Sequence, residues 1–182
     1  PEATERVIAA GIAAADQGVP GFLGLHLEGP HLDPRRKGAH DAGLIRPMTD
    51  ADLALLCDAA RHLPALMVTL APEAVTPDQI ARLSAAGVVV SLGHTDCTLL
   101  QAKAAIAAGA RCATHLFNAM SQLGNREPGL VGAVLSGTIA AGLIADGIHV
   151  APEVLRIALA ARPTGLFLVS DAMCVAGTEL TE

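Results

Sequence analysis

Hydrophobic positions in this chain fall in short blocks broken by Gly, Pro, His and Asp. Six blocks are β-branched or Leu-rich: residues 21–27, 66–70, 88–92, 112–116, 139–144 and 166–170. Each reads as apolar on both faces rather than alternating, the pattern of a buried parallel strand. Helix signals separate most of them. Thr76-Pro77-Asp78-Gln79 supplies a capping hydroxyl, a proline at the first helical position and a glutamine at the third, and Gly87 stops the helix. Thr49-Asp50-Ala51-Asp52 opens a second helix in the same manner. Ala151-Pro152-Glu153 opens a third that ends before Pro163, and the Ala-rich stretch 99–108 stops at Gly109. Gly129-Leu130-Val131-Gly132 reads as a glycine-containing turn. The recurring order of strand, loop and helix predicts an α/β fold with a parallel sheet.

Two architectures accommodate six such units: a doubly wound open sheet and a (β/α)8 barrel. The polar residues discriminate between them. Glu28, Glu73, His94, His115, Asp146 with His149, and Asp171 follow the six apolar blocks in turn. An open sheet gathers ligand groups at one switch point, whereas a barrel brings every strand's carboxyl end to one mouth. The expected fold is a TIM-type barrel, with residues 1–182 forming a partial catalytic domain of about six of the eight units. The loop 30–47 is long, as functional loops often are, and carries Arg35, Arg36, Lys37 and His40.

Composition narrows the function. Of 182 residues, 52% are hydrophobic and 16% charged, with a mean hydropathy of +0.47, which excludes a disordered chain. No run approaches the ~20 apolar residues of a membrane span, and the first residues do not resemble a signal peptide, so a cytoplasmic protein is expected. A net charge of −6, three Phe and neither Tyr nor Trp argue against nucleic acid as a partner. Cys57, Cys97, Cys112 and Cys174 form no CxxC pair and read as small core thiols in a reducing compartment.

Glu28, His94 and His115 are the donor types of a divalent transition-metal site, two imidazoles and a carboxylate with room for water. Taken singly, a His at a strand end is as readily a hydrogen-bonding loop residue; their matched placement gives them weight together. Asp171 can act as base and then acid beside such a centre, or it can cap a turn. His26, two residues before Glu28, reads as a core residue. The run Arg35-Arg36-Lys37 reads as a solvated loop edge that can also draw in a phosphorylated substrate. No G-x-G-x-x-G, P-loop or G-x-S-x-G motif is present.

Seven ordered blocks then resemble one family. They are His26-Leu27-Glu28-Gly29-Pro30 with Lys37-Gly38-Ala39-His40, Leu70-Ala71-Pro72-Glu73, Leu92-Gly93-His94-Thr95, Thr114-His115-Leu116-Phe117-Asn118-Ala119-Met120, Gly124-Asn125-Arg126-Glu127-Pro128-Gly129, Ala145-Asp146-Gly147-Ile148-His149 and Ser170-Asp171-Ala172. In this order they resemble the N-acetylglucosamine-6-phosphate deacetylases of the amidohydrolase superfamily. The resemblance implies a metal-dependent hydrolase, with zinc or iron held by Glu28, His94 and His115 and one or two ions per site. It implies Asp171 as general base and acid, and His40 as the residue that helps polarise the amide carbonyl. Ala39, His40, Asn118, Ala119, Arg126 and His149 would bind the sugar phosphate. Arg126 would serve a neighbouring subunit, which implies a homodimer. The family pattern also places two strands before residue 1, and a further helix and the rest of a small β-rich domain after residue 182. His31 and Ser170 depart from it without touching a ligand. The alternatives are a deacetylase of N-acetylgalactosamine 6-phosphate, an amidohydrolase of cyclic amides, and a sugar-phosphate-binding domain without chemistry.

Overall fold

Three helices begin on the same device. Thr49, Thr76 and Thr98 each accept the N–H of the residue three positions on, and Asp52, Gln79 and Gln101 return a bond to the cap backbone. Each such cap satisfies two of the backbone donors that a helix start leaves unpaired. The computed structural model describes residues 2–172 and 176–179. Its elements run α1 (Glu2–Asp16), β1 (Leu25–Glu28), α2 (Asp50–Ala59), β2 (Leu66–Leu70), α3 (Pro77–Ala85), β3 (Val89–Leu92), α4 (Leu99–Ala107), β4 (Cys112–Ala113), α5 (Gly129–Ser136), β5 (Ala140–Ile144), α6 (Pro152–Ala161) and β6 (Leu166–Val169).

The six strands are parallel and neighbour one another in chain order, β1 through β6. A doubly wound sheet must reverse its order at a switch point, and none lies among these strands. The fold is therefore an α/β sheet wound in one direction, which sends all six carboxyl ends to the same side. The register sorts the side chains. Leu27, Val68 and Val90 align across β1, β2 and β3 on the face that packs under the helices. There they join Leu53, Leu56, Ile80, Leu83, Ala102, Ala105, Leu130 and Val134 in one core.

The other face corrects the expectation of strands apolar on both sides. It carries a row of polar groups: His26 Nε2 lies 2.7 Å from Thr69 Oγ1, which lies 2.6 Å from Thr114 Oγ1, itself 2.6 Å from Ser91 Oγ. These hydroxyls satisfy one another and so pass unnoticed inside apolar sequence blocks. His26 stands on this inner face, where the sequence reading places it, and is exposed among the described residues.

Several boundaries move. β4 is two residues long instead of five, because the chain turns at His115, whose φ is 31°. Residues 129–132 are not merely a turn: they open α5, with Gly129 at φ 60° where a Cβ would meet Ser121 and the Gln122 carbonyl. The helix over Glu2–Asp16 is likewise absent from the sequence expectations. Cys97 and Cys112 are buried, Cys57 is half-buried, and Cys174 lies outside the described residues.

Candidate metal centre

The site is built by a repeated local geometry. Glu28 is the last residue of β1, and His94, His115 and Asp171 each stand two residues past the ends of β3, β4 and β6. All three of the latter have positive φ, at 46°, 31° and 51°. Non-glycine residues in this region are uncommon and strained, though His and Asp tolerate it better than most. The left-handed turn tips each side chain over the end of the sheet.

The ligand atoms converge. His94 Nε2 lies 2.8 Å and His115 Nε2 2.9 Å from the same oxygen, Glu28 Oε1, and the two nitrogens are 3.1 Å apart. The opposite ring atoms fix the tautomers. His94 Nδ1 donates to the Arg36 carbonyl at 2.7 Å, and His115 Nδ1 to the Asn118 carbonyl at 3.1 Å. A carbonyl can only accept, so each Nδ1 carries the proton and each Nε2 offers a lone pair. Two lone pairs and a carboxylate oxygen facing one another repel unless a cation or shared proton sits among them. Burial works against ionisation of Glu28, but the His115 and His94 imidazoles outweigh it and hold the carboxyl well below its usual range. Burial likewise opposes charge on His115, but the Glu28 carboxylate prevails and raises it.

His40 completes the cluster. Its ring stands edge-on to His94 with centroids 4.7 Å apart, and Glu28, His40 and His94 bring ligand atoms within 4.8 Å of one another. Burial and the neighbouring His94 push the His40 imidazole below its usual value. These donors fit a divalent ion: mixed imidazole and carboxylate, with both ligand rings oriented from behind.

A cavity of about 560 Å³ opens over the cluster, within the range of small-molecule sites. It is lined by Glu28, Ala39, His40, His94, His115, Asn118, Ala119, His149 and Asp171, so every site residue expected from sequence except Arg126 meets there. Asn118 Nδ2 is buried without a hydrogen-bond partner among the described residues, a donor that lacks an acceptor there. Asp146 is a turn cap: its Oδ1 accepts the N–H groups of Ile148 and His149, and its Oδ2 faces His149 Nδ1 at 2.6 Å. Those bonds lower its pKa to about 2. Arg126 is exposed on the β4–α5 loop, outside the cavity.

Sequence reasoning misses the carbonyls of Arg36 and Asn118, since any residue can supply one. Arg35 and Arg36 lie at a solvated edge, as read, but both also face carboxylates, Arg35 at Asp33 and Arg36 at Asp96, 2.6 and 2.7 Å away. Glu73 stays outside the cavity and accepts the Thr95 hydroxyl at 2.6 Å.

No family model matches the chain. It is 44% identical over 171 residues to an N-acetylgalactosamine-6-phosphate deacetylase of Shewanella sp. (strain ANA-3), covering 93% of this chain and 43% of that protein. It is 43% identical over 165 residues to an N-acetylglucosamine-6-phosphate deacetylase of Danio rerio, covering 86% of this chain and 41% of that protein. The crystal structure of N-acetylglucosamine-6-phosphate deacetylase from Pasteurella multocida superposes with a TM-score of 0.92 at 37% identity, over 98% of this chain and 47% of that one. The chain thus spans less than half the length of the relatives it matches. Over that span, the aligned identity, the shared fold and the ordered site motifs show that the chain belongs to the N-acetylglucosamine-6-phosphate deacetylase family.

Proposed function

We propose that this chain carries the metal centre of an enzyme that hydrolyses N-acetyl-D-glucosamine 6-phosphate to D-glucosamine 6-phosphate and acetate. The observation that carries the reading is the meeting of two tautomer-fixed Nε2 lone pairs and one carboxylate oxygen under a cavity. Glu28, His94 and His115 would hold zinc or iron, with His40 close by. Such an ion supplies Lewis acidity toward the amide carbonyl and makes water a better nucleophile near neutral pH.

The remaining work falls to the chain's own groups. Asp171, at the cavity wall, takes the proton from the attacking water and returns it to the sugar nitrogen as the C–N bond breaks. That second transfer is essential, because an amide anion is a very poor leaving group. His40, kept neutral by its surroundings, can donate a hydrogen bond to the acetyl carbonyl oxygen. Asn118 Nδ2, the backbone at Ala39 and Ala119, and His149 are placed to hold sugar hydroxyls or phosphate. Arg126, outside the cavity of its own chain, is assigned to the phosphate in a partner subunit, which makes the working unit a homodimer. Six strands in sequential order support completion as an eight-stranded barrel, in a cytoplasmic enzyme of amino-sugar breakdown.

A second reading, N-acetyl-D-galactosamine 6-phosphate as substrate, is favoured by the name of the Shewanella relative. The test is metal analysis of the intact protein together with acetate release from both epimers. Metal-dependent release, faster from the glucosamine epimer, is expected. Undiminished release after metal removal sinks the metal reading, and a preference for the galactosamine epimer selects the second substrate.

A further inference from the structure

The metal reading leaves unexplained a cluster of charges beside it. Asp33, Arg35 and Arg36 follow β1, Glu73 follows β2 and Asp96 follows β3. Arg36 places Nε and a terminal nitrogen 2.9 and 2.7 Å from Asp96 Oδ1. Arg35 reaches Asp33 at 2.6 Å, Asp96 at 3.2 Å and Glu73 at 3.5 Å. Glu73 in turn accepts the Asp96 N–H at 3.0 Å. Three neighbouring loops are tied together by these contacts.

Ion pairs this exposed add little to global stability. Their place in the fold gives them another use. Pro34–Arg36 form one 3-10 turn capped by Asp33. That turn grips His94 twice: the Asp33 N–H donates to the His94 carbonyl at 2.9 Å, and the Arg36 carbonyl accepts His94 Nδ1–H at 2.7 Å. Farther along the same loop, a Cβ on Gly38 would lie 3.0 Å from His94 Cε1, so the loop also rests against the ring. His94, at φ 46°, is a strained residue that depends on restraint from outside itself.

We propose that Arg36 and Asp96 are positioning residues for the metal centre: their ion pair pins the β1 loop to the β3 loop, keeping the Arg36 carbonyl on His94 Nδ1 and a bare Nε2 toward the cation. This rests on reading Glu28, His94 and His115 as metal ligands. It also gives the arginine pair a role other than attracting a phosphorylated substrate, since both guanidinium groups already face carboxylates.

Zinc affinity of the intact protein is measured by chelator competition, and the protonated ring nitrogen of His94 is read by nitrogen NMR of the histidine side chains. Arg36→Met and Asp96→Asn are each expected to weaken zinc binding about 10-fold, the low end for losing an outer partner of a ligand, because the Arg36 carbonyl remains and loses only its anchor. Combining them is expected to add little to Asp96→Asn alone, because that variant already breaks the Arg36 contact along with the Arg35 one. Arg36→Lys retains a cation and is expected to recover part of the loss, which separates placement from misfolding. In Arg36→Met and Asp96→Asn the Nδ1–H signal of His94 is expected to lose intensity to the Nε2–H form. An unchanged tautomer in both variants overturns the proposal, as does zinc affinity within about twofold of the parent. If the parent takes up no zinc, the metal reading fails instead, and the His94 tautomer still decides whether the ion pair positions the ring.

Discussion

The β3–β4 side of the cavity and the β6 side begin from the same sequence signal, an apolar block with an ionisable residue just beyond it. On the β3–β4 side, His94 and His115 are buried, and each ring is held at both nitrogens. On the β6 side, Asp171 is exposed, and no hydrogen bond ties it among the described residues. The strands differ in the same sense: Leu92 of β3 is fully buried, while Leu168 of β6 is 75% exposed. The difference follows from neighbours. β3 has a strand on either side and helices over it, whereas β6 pairs with β5 alone among the described strands. The hydrogen bonding of the two sides suits different chemistry. A metal ligand must be rigid and desolvated, but a group that takes a proton from water and passes it on must keep a lone pair free.

Breaking the rigid side carries the largest expected effect. His115→Ala removes one of two nitrogens on Glu28 Oε1, and metal content and deacetylation should be lost together. Full metal occupancy in that variant would take His115 out of the site. On the other side, Asp171→Asn preserves shape but cannot accept a proton, so kcat should fall by about 10²–10⁴ while metal remains bound. Near-normal kcat would end the acid–base role; loss of metal would make Asp171 a ligand.

The strands supply a smaller contrast, measured by denaturant unfolding of the intact protein. Leu92→Ala should cost about 2–5 kcal/mol, as buried leucines do. If the barrel closes as proposed, Leu168→Ala should approach the same range there. A change within about 0.5 kcal/mol would instead leave β6 as a true sheet edge.

The smallest expected effect concerns acid stability, away from both sides. Arg46 beside Asp52, helped by the Thr49 cap, holds that carboxyl well below its ordinary 3.8, against the opposing effect of burial. A carboxyl lowered in the folded state stabilises the fold above its unfolded pKa, and this stabilisation is lost as pH falls below it. Asp52→Asn should therefore lose less stability than the parent between about pH 7 and about pH 3. Parallel acid limbs for the two proteins would show that the pair does not drive this loss.

Much of the fold is legible in the chain. β2 falls on 66–70 as expected, and the caps at Thr49 and Thr76 open α2 and α3 where the sequence places them. α1 lies outside the sequence expectations, and α5 escapes notice because glycines at 129 and 132 look like a turn. The residues expected at the site come together in one cavity, apart from Arg126, which the sequence assigns to a neighbouring subunit.

Sequence by itself determined the alternation of strands and helices and the polar residues that end the strands. Those depend on periodicity and on caps four residues long, which covalent order carries directly. Tertiary structure alone decided which nitrogen of each ligand histidine is free, that Arg35 and Arg36 are paired, and that three strand-end residues turn left-handed. It also assembled the hydroxyl row inside the sheet. The reason is distance along the chain: His115 meets Glu28 from 87 residues away, and His94 meets the Arg36 carbonyl from 58. No local pattern encodes a contact between a ring nitrogen and a carbonyl that any residue can supply.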